Sequence, residues 1–97
     1  MLARPRFRLT AIAYVPGAAA VGVEGRIRAV LADRVPDSDP TVYVALTDQV
    51  TVAFTIPADS ATEARAAGRT VAHDVLLGAE PIALDAVELF TAPPVPA

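Results

Sequence analysis

Residues Thr41 to Gly78 read TVYVALTDQVTVAFTIPADSATEARAAGRTVAHDVLLG, and the hydrophobic period changes inside this stretch from two to about 3.6. Thr41 to Leu46 sets Val42, Val44 and Leu46 on one face. Val50 to Ile56 does the same with Val50, Val52, Phe54 and Ile56, and Thr47, Asp48 and Gln49 form the link. This pattern predicts a β-hairpin whose turn type stays open, because the link lacks glycine. Ser60-Ala-Thr-Glu63 then has capping-box spacing, in which the serine hydroxyl and the glutamate carboxylate satisfy backbone N–H groups at a helix start. Helix formers run from Ser60 to Leu77, Gly78 supplies a left-handed stop, and Pro81 lies beyond. Ala64, Ala67, Gly68, Val71 and Val75 form the expected buried stripe, small enough to let the helix lie close to its support. Glu63, Ala66, Arg69, Thr70 and His73 fall on the outer side.

Working outward, Arg6 to Val15 alternates as a strand, with Phe7, Leu9, Ala11 and Ala13 on one face and Arg8, Thr10, Ile12 and Tyr14 on the other. Pro16-Gly17 ends it. Val23, Ile27, Val30 and Leu31 have helical spacing, which predicts a helix over Val23 to Arg34, although Gly22 and Gly25 are poor helix residues and no side-chain cap is present. A strand over Arg26 to Val30 is the competing reading. Pro36 to Pro40 is a loop, and Ile82 to Phe90 reads as a last strand. Strand–helix–strand repeated once gives an α+β domain on the ferredoxin-like βαββαβ plan, a four-stranded antiparallel sheet with two helices on one face. Residues 1–92 make this single domain and 93–97 a Pro-rich C-terminal tail.

Ninety-seven residues is the size of one domain. A hydrophobic fraction of 54% and a mean hydropathy of +0.45 are high for so small a surface-rich chain, although alanine contributes much of both. The composition therefore favours a homo-oligomer or a protein partner covering part of the surface. With no Cys and no Lys, thiol nucleophiles, disulfides, cysteine-ligated metals and lysine Schiff bases are excluded. The Arg-rich start followed by Leu9 to Val15 is too short and interrupted for a secretion signal, and no apolar run matches a membrane span. The reading is a cytoplasmic protein with no membrane association.

The net charge of −3 is unevenly distributed. Up to Pro36, six arginines face only Glu24 and Asp33, a surplus of +4; from Asp37 onward Arg65 and Arg69 face nine acids, giving −7. No motif identifies a reaction. His73-Asp74 are neighbours on a helix and point about 100° apart, so they do not form a natural catalytic pair. Asp33, Asp37 and Asp39 lack the further ligands and bend glycine of a calcium loop. Gly17 and Gly22 have the first spacing of a phosphate loop, but Val23 and Glu24 stand where lysine and a hydroxyl are needed. No cofactor is implied.

The expected free sheet face carries Ile12, Tyr14, Tyr43, Ala45, Thr51, Ala53, Thr55 and Ala86, with Arg8 at its margin. It lacks the aromatic pairs and basic surplus of an RNA-binding sheet, which disfavours nucleic acid. Arg8, Ile12, Tyr14, Tyr43, Thr51 and Thr55 are the candidate ligand or interface residues. The favoured function is a non-catalytic, self-associating interaction module. The alternative is a two-copy arrangement that is similar in plan to dimeric α+β barrels; that resemblance implies a small-ligand site, and in many such proteins an enzyme acting on aromatic or polyketide-like substrates.

Overall fold

A computed structural model of the chain describes residues 4–76 and 78–89. Along the chain it forms β1 (Arg6–Tyr14), α1 (Ala18–Val21), α2 (Glu24–Arg34), β2 (Thr41–Val44), β3 (Gln49–Pro57), α3 (Ala61–Val75) and β4 (Ala83–Glu88). The four strands make one antiparallel sheet in the order β2-β3-β1-β4. The protein is thus an α+β fold, with three helices among the described residues. The expected tail, residues 93–97, and Phe90 lie outside the described residues.

One face of the sheet is the core. Leu9 opposes Phe54, Ala11 opposes Val52 and Ala13 opposes Val50, and all six are fully buried. Ile27 and Leu31 of α2 and Ala64, Ala72 and Val75 of α3 complete the same cluster. The helical reading of Val23 to Arg34 holds over Glu24–Arg34, because the 3.6 period puts Ile27 and Leu31 on one line facing this core; the strand alternative is overturned.

α3 begins with the serine half of its capping box, Ser60 accepting a hydrogen bond from the Glu63 N–H at 3.1 Å, while the Glu63 carboxylate reaches one residue past the cap and accepts from Asp59 N–H at 3.3 Å. Its buried residues are Ala64, Gly68, Ala72 and Val75. The expected stripe is therefore rotated: Ala72 is inside, Val71 is half-buried and Ala67 is exposed. Gly68 fixes that rotation. A Cβ there would lie 2.7 Å from Leu9 Cδ1, so the helix backbone rests directly on the β1 side chain.

Two strand limits differ from the sequence reading. β2 stops at Val44, and Leu46, expected on the inner face, is 96% exposed at the hairpin tip. The turn closes with Asp48 N–H donating to Ala45 C=O, and Asp48 itself has φ +67, the left-handed position that glycine usually fills after such a turn. β4 spans Ala83–Glu88 rather than Ile82 to Phe90. Its register sets Ala86 opposite Leu9, so Ala86 belongs to the helix-covered face and not to the free one. A single-residue change of parity exchanges the two faces of a strand.

Candidate functional site

The sheet face away from the helices is built by the register itself. Its successive rows, read from β2 to β4, are Tyr43, Thr51, Ile12 and Ala83, then Thr41, Ala53, Thr10 and Asp85, with Thr55, Arg8 and Val87 beyond. Gln49 lies opposite Tyr14 at the turn end. Tyr43 is 68% exposed, Val87 56% and Tyr14 55%, while Ile12 and Thr51 between them are half-buried. The structure therefore brings Ile12, Tyr14, Tyr43 and Thr51 onto one face.

Arg8 and Thr55 lie on the same face but are already occupied. The Arg8 guanidinium donates to the Asp39 carbonyl at 2.6 Å, the Thr55 hydroxyl at 3.0 Å, the Ser38 carbonyl at 3.3 Å and the Thr41 hydroxyl at 3.4 Å. Thr55 is buried, and its backbone N–H donates to Ser38 C=O at 2.7 Å. The loop from Asp37 to Pro40 thus closes the β3 edge beyond the short β2. Asp37 and Asp39 take positive φ values of 60° and 49° to present those carbonyls, with Ser38 buried between them. A guanidinium fills the oxygen cluster that a cation would need, and no group of three or more His, Cys, Asp or Glu suited to a metal occurs among the described residues.

Part of the charge split along the chain is met in the same intramolecular way. Arg4 pairs with Asp59 and Glu63, and Arg34 pairs with Asp74 at 2.7 Å. Arg6 donates to the Asp37 carbonyl. Arginines of the first part thus bind acids and carbonyls of the second.

Two further polar features lie off this face. The Asp48 carboxylate accepts hydrogen bonds from Gly17 N–H and Ala19 N–H, both at 2.9 Å, so the hairpin turn caps α1 from a distance in sequence. These two bonds, Ala19 first, hold its pKa below the usual carboxylate range because they favour the ionised form. The second is an open groove of about 280 Å³ lined by Arg69, Thr70, His73, Asp74 and Glu80. His73 stands 3.9 Å from Glu80 and 4.0 Å from Asp74, and Asp74 is already paired with Arg34. No nucleophile is activated by this arrangement, since the Thr70 hydroxyl donates to the Ala66 carbonyl.

Sequence reasoning missed Asp85 and Val87 on the open face. Their signal was present: Leu84 and Ala86 alternate with Asp85 and Val87, and the charge at Asp85 marks the solvent side. Compared with known proteins, the chain matches no family model, no curated protein and no solved structure. No helix among the described residues is long and apolar enough to cross a membrane.

Proposed function

We propose that this protein is a non-catalytic self-association module whose open sheet face binds a second copy of the chain. The reading is carried by one observation: Ile12, Tyr14, Tyr43 and Val87 share a sheet face on which the described strand residues place three charged side chains, Arg6, Arg8 and Asp85, and both arginines are hydrogen-bonded within their own chain. An apolar face of this kind is stabilised by removal from water. The four strands contribute 9, 4, 9 and 6 residues, about 440 Å² in plan at about 3.3 Å by 4.8 Å per residue, which suits an interface smaller than the roughly 800 Å² per partner of the standard size.

The plan proposed for the subunit is ferredoxin-like. Supporting it, the order β2-β3-β1-β4 has every neighbour antiparallel, β2 and β3 form a hairpin, and helices stand between β1 and β2 and between β3 and β4. Such a subunit leaves one face of the sheet free to meet a partner.

Sedimentation equilibrium tests the function. The wild-type chain is expected to show a concentration-dependent dimer, and Tyr43→Glu to weaken it at least about tenfold, about 1.4 kcal/mol, with unchanged circular dichroism. A monomeric wild type, or equal association of both proteins, would refute the assignment.

A further inference from the structure

The open face has a pattern of large and small side chains that specifies how two copies meet, and the inference rests on the self-association reading above. The outer strands contrast most. On β2 stand Tyr43 and Thr41, and in the same rows on β4 stand Ala83 and Asp85. The inner strands contrast in the opposite sense across the sheet, with Ile12 and Tyr14 on β1 beside Thr51 and Gln49 on β3, so large and small alternate along the row.

We infer that two copies pack face to face about a two-fold axis running along the strands, so that β2 of each lies over β4 of the other. Sheets packed in the aligned manner keep their strands within about 30° and their facing side chains interdigitated. A two-fold axis along the strands preserves each row while exchanging left and right. Tyr43 then beds on the partner copy's small residue at position 83, and Ile12 meets the threonine at position 51. Tyr14 lies over the glutamine at position 49. The carboxylate of Asp85, for which the described residues provide no ion pair, meets the hydroxyl at position 41, a donor it lacks within its own chain.

A two-fold axis across the strands has a different outcome. Each strand would cross its own copy, placing Tyr43 over β2 and Asp85 over β4, with two carboxylates brought toward each other at the same edge. Like charges so placed repel, and the row complementarity is lost. The charge and the size pattern therefore select the same arrangement.

The absence of cysteine makes the test direct, because every thiol is an introduced one. Positions 43 and 83 are three strand spacings apart within one chain, about 14 Å, so a shorter bismaleimide reports only contact between copies. Tyr43→Cys/Ala83→Cys and, independently, Thr41→Cys/Asp85→Cys are each expected to give mostly covalent dimer on a denaturing gel, while the four single variants stay monomeric. The second pair leaves Tyr43 in place should its loss weaken association. Covalent dimer from Tyr43→Cys alone, or none from either pair while light scattering still shows a dimer, would overturn this arrangement and leave self-association standing. A wild-type chain that is monomeric by light scattering would overturn both.

Discussion

The two faces of β1 present the same nine-residue strand to different surroundings. On one, Leu9, Ala11 and Ala13 are fully buried beneath helices, and Gly68 brings the α3 backbone against Leu9. On the other, Thr10 and Ile12 are half-buried and Tyr14 is exposed. The first face is satisfied within one chain. The second sets Ile12 and Tyr14 beside Arg6, Arg8 and Thr10 without a covering helix, and the difference teaches that the helix side carries the burial that stabilises the fold.

The largest expected effects break the helix-covered side. Ala72→Asp would place an unpaired charge in the core and lose more than about 3 kcal/mol, seen as loss of the cooperative thermal transition. Leu9→Ala should cost about 2–5 kcal/mol by urea unfolding, whereas Ile12→Ala, three residues along the same strand, should cost under about 1.5 kcal/mol in the monomer and act chiefly on association. Equal losses at the two positions would remove the distinction between the faces.

Gly68→Ala tests how closely α3 rests on β1. Better helix propensity favours the substitution by about 1 kcal/mol, but the 2.7 Å contact with Leu9 forces repacking that costs about 1–3 kcal/mol, so a net loss near 1 kcal/mol is expected by denaturant titration. A gain in stability would place the helix further from the sheet. Ser60→Ala should remove about 1 kcal/mol through the lost cap, without any change in association.

The smallest effect concerns pH. Asp48 has its pKa held below the unfolded value by the Ala19 and Gly17 N–H groups, so its contribution is present above the unfolded carboxylate range and lost as pH falls through the folded value. Asp48→Asn is expected to flatten the acid limb of the stability profile. An unchanged limb would show that the two hydrogen bonds do not discriminate between charge states.

Much of this was legible along the chain because it is local. Ser60 and Glu63 lie within one turn, Phe7 to Ala13 alternate without interruption, and Ile27 and Leu31 repeat at helical spacing. What was not legible depends on partners distant in sequence. Arg8 reads as a surface cation until the loop at Ser38 and Asp39 folds onto it from about thirty residues away. Asp48 reads as a turn residue until its carboxylate meets Gly17. Ala67, Ala72 and Ala86 show a different limit, since alanine suits either face and its neighbours decide which; at α3 the decision is made by Gly68 on Leu9. Of the open face, Ile12, Tyr14, Tyr43 and Thr51 were legible by alternation, whereas Ala86 was assigned to the wrong face and Asp85 and Val87 were missed.

The most direct test is an NMR dilution series followed on the methyl signals of both faces. The account predicts concentration-dependent shifts at Ile12, Thr51, Thr10 and Val87, with Leu9, Val50, Val52 and Leu31 nearly constant. Shifts concentrated on the outer faces of α2 and α3, or none across the concentration range, would contradict it.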